Sequence, residues 1–216
     1  VNETPLEILR ENYEKMFLNI NGKRRDKIPK EKQRADVIDY LVVHHSAGNE
    51  FINAAAIDII DAFSRAGYTR GYAPIKREHS WHFHPLRDKE TFAMAHFALH
   101  KYNKDDNIYR WRLVPLMADW DSCIAWHAGN WEINTRSIGI EICGDYSDIR
   151  VDGRALKLIA DYFKPEYTKT RAAGKIYHVV PHRYVSLGYT VCPGKIIDQI
   201  DDLREMIFQG DKLKES

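Results

Sequence analysis

The sequence has little cysteine, no long apolar run and no excess of either charge, and each shortage excludes a class of protein. Three cysteines in 216 residues, Cys123, Cys143 and Cys192, are an odd number that makes no disulfide framework, and they favour a reducing compartment during synthesis. No run of about eighteen apolar residues occurs, so no membrane insertion is expected. The opening Val1-Asn2-Glu3-Thr4-Pro5 does not have the charged-then-apolar layout of a signal peptide. The expectation is synthesis in the cytoplasm, with any export depending on another agent. Lys and Arg total 32 against 31 Asp and Glu, a net charge of +1, and that balance argues against a nucleic-acid partner. What is abundant is apolar residue, at 44%, and histidine, ten in all. The first suffices for the core of one domain. The second includes two dense pairs, His44-His45 and His82-Phe83-His84.

Three segments follow from composition: an arm over 1–35, a main body over 36–210 and a tail over 211–216. In the arm, Thr4 and Pro5 suit a helix start, and Leu6, Leu9, Tyr13, Met16, Phe17 and Ile20 keep helical spacing. Lys23 to Arg34 holds seven basic residues against Asp26 and Glu31 and reads as a solvated linker, with attraction to an anionic wall polymer as the alternative. The body opens on Val37–His44, a β-branched run that predicts a buried strand ending in histidine. Asn53 is expected to cap a helix through Ala66. Met94–Lys101 and Ile108–Val114 read as a hairpin, Ser137–Cys143 as a strand, and Asp152 as the cap of a helix carrying Leu156, Ile159 and Phe163. A strand at Ile176–Val180 and a helix from Lys195 to Phe208 complete the body. Interleaved strands and helices predict an α/β fold, a central mixed sheet flanked by helices. Residues 68–92 fit no element, and no repeat or low-complexity segment occurs.

Chemistry is suggested first by Glu141. In Ile138-Gly-Ile-Glu-Ile-Cys143 the isoleucines share one face and Gly139, Glu141 and Cys143 the other. An acid in an apolar strand needs a cation, a metal-bound water or a hydrogen-bond network. The strand-terminal His44, the segment Ala125-Trp-His-Ala-Gly-Asn-Trp131 and the segment Pro181–Gly194 together offer two imidazoles and the thiolate of Cys192. Two histidines, a thiolate and an open position make a catalytic zinc pattern. His79, His82 and His84 form a rival cluster with no carboxylate partner, and His96 with His100, or His178 with His182, are weaker pairs.

The ordered set Leu41-Val-Val-His-His-Ser-Ala-Gly48, Ala95-His-Phe97, Leu113-Val-Pro-Leu116, Ala125-Trp-His-Ala-Gly-Asn130, Asn134, Ser137-Ile-Gly-Ile-Glu141, His182 and Thr190-Val-Cys-Pro-Gly194 resembles the zinc N-acetylmuramoyl-L-alanine amidases. These include phage lysins, AmpD-like bacterial amidases and peptidoglycan recognition proteins. The resemblance covers residues 37–208 and leaves the arm outside. It implies one Zn2+ held by His44, His182 and Cys192, with His45 packing or hydrogen-bonding nearby. It implies Glu141 as general base on a zinc-activated water, and Thr190 as a hydroxyl beside the reacting carbonyl, where some members have lysine. Ala95 stands where some members carry tyrosine. His182 and Cys192 are ten residues apart, the longer spacing of the AmpD-like branch, but with a thiolate in place of that branch's usual aspartate.

His127, Asn130, Asn134, Trp126 and His96 are implied to contact substrate or brace the site. Trp111 and Trp131 are candidates for sugar contacts or for the core. The substrate so implied is bacterial peptidoglycan, cut between N-acetylmuramic acid and L-alanine. The setting implied is a phage or prophage endolysin acting on the wall after release, with a monomer favoured. Two other readings are a recognition module that binds peptidoglycan without cutting it, and a zinc amidase or peptidase for another acylated peptide.

Overall fold

Tyr-Leu-Val-Val-His-His, residues Tyr40–His45, forms β1, and every residue after Tyr40 is buried. The computed structural model describes residues 38–48, 51–56, 58–60, 62–63, 83–84, 89–90, 95–103, 109–116, 125, 127–173 and 178–208. Within these, β1 lies in a five-stranded sheet with β4 (Phe97–Asn103), β5 (Tyr109–Pro115), β6 (Ser137–Ile142) and β7 (His178–Pro181). The order is β5-β4-β6-β1-β7; a separate two-stranded sheet joins β2 (Phe83–His84) to β3 (Lys89–Glu90). β1 runs parallel to β6 and β7, and β4 parallel to β6, while β4 and β5 form the expected antiparallel hairpin. The sheet is therefore mixed, as the sequence predicts.

Alternation along each strand assigns the two faces. Leu41, Val43, Phe97, Leu99, Ile138, Ile140, Ile142 and Val179 enter one core with Leu156, Ile159 and Phe163 of α2 (Gly153–Ala173) and Ile200, Leu203 and Ile207 of α3 (Ile200–Phe208). Each fully buried side chain of this size contributes about 1.5–3 kcal/mol over an exposed one. The opposite face carries a smaller cluster in which Ile59, Ile60 and Phe63 cover Ala98, Val114, Leu116 and Cys143. Toward β1 that second face is polar.

Local details refine several expectations. Asp152 does cap α2, its Oδ1 accepting from Arg154 N at 2.9 Å. Asn53 takes a left-handed φ of 59° in a turn, three residues ahead of Ala56, the first described helical residue. The final helix begins as a 3-10 turn over Gly194–Gln199 before α3 starts at Ile200. Trp111 is 8% exposed and belongs to the apolar core. The predicted arm helix and basic linker, the tail, Trp126 and Cys123 lie outside the described residues, as do most of 68–92 and the Trp131 side chain. No described helix is long and apolar enough to cross a membrane.

Candidate metal centre

The parallel register places His44 of β1 directly beside Glu141 of β6. Both point to the polar face, one residue after Val43 and Ile140 have pointed to the apolar one. His182 follows β7, which flanks β1 on its other edge, and Cys192 returns at the end of the next loop. One ligand-bearing atom each from His44, His182 and Cys192 falls within 4.8 Å of the others. The three residues predicted as ligands, far apart in sequence, are thus brought to one point.

This donor set fits zinc. Two imidazoles and a thiol are zinc's preferred ligands, and a tetrahedral ion would hold N and S about 3.5 Å apart. His44 Nδ1 and Cys192 Sγ stand 3.9 Å apart. The Nε2 of His182 is buried and has no hydrogen-bond partner among the described residues. Such an orphaned atom is costly unless something else occupies its lone pair. Burial holds His44 well below its ordinary pKa, helped by the nearby His127, His182 and His45. Burial also lowers His182, against a backbone hydrogen bond to Ala128 that raises it. Both rings are thereby kept neutral, the form that binds metal. Burial first, and then the Glu141 carboxylate, push the Cys192 thiol up to about 12, so the thiolate forms there only beside a cation. His45 N, at 3.4 Å, points its hydrogen at the sulfur.

The surrounding residues hold this arrangement. His45 Nδ1 accepts from Tyr146 N at 3.1 Å, the nearby bond expected of it. Lys195 N donates to Tyr146 O at 2.7 Å, so the Cys-Pro-Gly turn docks on the same loop. Gly194 has φ of 63°, and a side chain there would run into the Tyr146 backbone. Thr190 Oγ1 accepts from Cys192 N at 3.1 Å, which ties the threonine to the ligand turn. Arg183 reaches back to the carbonyls of Val191 and Cys192, closing the loop between His182 and Cys192. Tyr184, Leu187 and Tyr189 on that loop are exposed, at 69%, 81% and 96%.

Of the residues expected to contact substrate or brace the site, His96 packs against β6. Its ring is fully buried, and Nδ1 accepts from Gly139 N at 2.9 Å. Its neighbours in the Ala95-His-Phe97 motif are core residues, so the motif marks a strand entry. His127 and Asn134 are 7% and 2% exposed and hydrogen-bonded to one another. Asn134 Oδ1 accepts from the backbone N of His127 and Ala128 at 3.2 and 2.8 Å. Asn130 caps α1 (Trp131–Thr135), accepting from Glu132 N and Ile133 N, and its Nδ2 donates to Val185 O. Glu141 is 8% exposed, beside His44 on the polar face.

Two members of the site were not anticipated as such. Ser137 Oγ meets His127 Nε2 at 2.9 Å, and Gly139 lets the His127 ring lie on the strand, since a Cβ there would come 2.6 Å from the ring. Their signal was periodicity: Ser137, Gly139 and Glu141 share a strand face.

Comparison with known proteins gives the chain a family and a fold. A family model described as N-acetylmuramoyl-L-alanine amidase matches residues 33–195. Among solved structures, PGRP-SA of bumblebee is 15% identical over 79% of this chain and 84% of its own, with a TM-score of 0.50. Drosophila PGRP-LB is 17% identical, covering 79% and 83%, at 0.48. The N-acetylmuramoyl-L-alanine amidase LysC of Clostridium intestinale is 17% identical, covering 82% and 89%, at 0.43. The first of these shares the fold. No curated protein matches by sequence.

Proposed function

This chain belongs to the N-acetylmuramoyl-L-alanine amidase family, which gives it a peptidoglycan-directed amidase or binding role, and we propose that it is of the catalytic kind. The bond cut is the amide between the lactyl group of N-acetylmuramic acid and the L-alanine of the stem peptide. The observation that carries this reading is the juxtaposition of a complete His, His, Cys donor set with a buried carboxylate on the adjacent strand. A module that only binds peptidoglycan requires neither group.

Zinc held by His44, His182 and Cys192 would supply Lewis acidity, polarising the carbonyl and lowering the pKa of water. The carboxylate of Glu141 accepts a proton from the attacking water as oxygen bonds to the carbonyl carbon. It returns that proton to the L-alanine nitrogen as the C–N bond breaks, leaving a lactyl carboxylic acid and a free amine. His44 and His182 hold their rings neutral and aimed, while Thr190 fixes the turn that presents Cys192. The loop between His182 and Cys192 offers Tyr184, Leu187 and Tyr189 to sugar or peptide.

The test is digestion of purified cell wall by the zinc-loaded protein, followed by analysis of the ends released. Lactyl carboxyls and L-alanine amino termini are expected in equal number. Wall binding without new ends would favour a recognition module, and ends at another bond would favour a different amidase or peptidase. The setting we propose, a lysin acting after release from the cytoplasm, requires that expression inside a bacterium cause lysis only once the membrane is permeabilised.

A further inference from the structure

The residues under the metal ligands form a chain of hydrogen bonds whose direction can be read from one end. Ser137 Oγ lies 2.6 Å from the carbonyl of Ile133, and a carbonyl can only accept, so the hydroxyl hydrogen is committed there. At the 2.9 Å contact with His127 Nε2 the serine oxygen must then accept, and the ring nitrogen carries the hydrogen. With the ring hydrogen on Nε2, Nδ1 of His127 is the acceptor on the opposite side of the ring. That atom is 3.0 Å from His44 Nε2, a hydrogen bond only when His44 donates. The hydrogen of His44 therefore sits on Nε2, and the lone pair of its Nδ1 is free on the side of Cys192 Sγ, 3.9 Å away.

The next residue of the same segment treats the second imidazole in the same way. His182 is hydrogen-bonded to the backbone of Ala128, and its unpartnered Nε2 is the atom left for the metal. Asn134 Oδ1 pins the backbone N–H groups of both His127 and Ala128. Gly139 leaves room for the His127 ring, which a Cβ would displace.

We propose that His127 and Ser137 are positioning residues for the metal, fixing His44 in the Nε2–H tautomer that presents Nδ1 for coordination. The inference rests on the zinc reading above and deepens it. Partners behind a metal ligand typically change metal affinity by about 10–100-fold when removed. Ser137→Ala would leave His127 Nε2 without its acceptor and release the constraint on both rings. Ser137→Thr keeps the hydroxyl.

Two measurements on the full chain decide it. Long-range 1H–15N correlation spectra of the zinc-loaded, 15N-histidine-labelled protein should show His44 and His127 both protonated at Nε2. A proton on Nδ1 of either ring would overturn the proposal, and this reading needs no variant to fold. Zinc affinity by chelator competition should then fall about tenfold or more in Ser137→Ala and recover to within a few-fold in Ser137→Thr. A role in stability alone would move the melting of the metal-free protein and leave zinc affinity unchanged. If the parent binds zinc tightly and Ser137→Ala binds it equally well, this inference fails alone. If the parent binds no zinc, the proposed function falls and this inference with it.

Discussion

On β1 and β6 the residues Leu41, Val43, Ile138, Ile140 and Ile142 look toward α2 and α3, while Val42, His44, Gly139 and Glu141, alternating with them, look the other way. The first face is apolar throughout and sealed by two helices. The second holds buried imidazoles, a carboxylate and a glycine with no Cβ to fill the space above it. The same backbone serves both, and the register that aligns Val43 with Ile140 also aligns His44 with Glu141. Stability is thus concentrated on one face and chemistry on the other, one residue apart in sequence. A polar face of this kind is stabilised where its buried groups are paired, as His44 is with His127 and His96 with Gly139 N.

The sharpest way to break this division is to exchange the chemistry of neighbours. Ile140→Asp puts an unpaired charge into the apolar core and is expected to cost more than about 4 kcal/mol, enough to abolish cooperative unfolding in a urea titration. Glu141→Gln should leave melting nearly unchanged, keep zinc and wall binding, and reduce turnover about 10²–10⁴-fold. A folded Ile140→Asp, or a fully active Glu141→Gln, would erase the distinction. Phe163→Ala, deep in the helix-covered face, should destabilise by about 3–5 kcal/mol while the folded fraction keeps its zinc affinity.

Acid should act on the polar face. Arg112 Nε donates to His100 Nε2 at 2.9 Å, and His100 Nδ1 lies 3.0 Å from the carbonyls of Phe51 and Lys101. Burial first, then the Arg112 charge, lower His100 from 6.5 to about 4. Below pH 6.5 the unfolded chain takes up a proton there that the folded chain refuses until about pH 4. Stability is therefore present above that window and lost as pH falls through it, by up to about 3 kcal/mol. Urea midpoints measured across the window should fall less steeply in His100→Gln than in the parent. The smallest effect is expected from Thr190→Val, which removes the acceptor for Cys192 N. Zinc binding should weaken several-fold, about 1 kcal/mol, with little change in the melting of the metal-free protein.

Much of the apolar face was legible in advance because strand alternation and helical spacing are local properties. Ile138, Ile140 and Ile142 declared their side of β6, and Leu156, Ile159 and Phe163 the inward side of α2. The three residues that meet at the candidate metal centre, His44, His182 and Cys192, were legible too, through motifs in a fixed order. The roles of the supporting polar residues were not. His96 stands within a family motif yet lies fully buried beneath Gly139, and Asn134 holds two backbone N–H groups rather than reaching outward. Asn53 has the chemistry of a helix cap but sits in a left-handed turn ahead of the helix.

The sequence by itself determined which residues could bind a metal, which strand would carry the carboxylate, and which faces would be apolar. Only the tertiary structure decided which nitrogen of each imidazole faces the site and which residues stand behind it. Those answers depend on contacts such as His44 with His127, 83 residues apart, and His45 N with Cys192 Sγ, 147 apart. Side-chain periodicity reaches only a few residues along the chain. Contacts at that range exist only after parallel pairing fixes the register of β6 and β7 against β1.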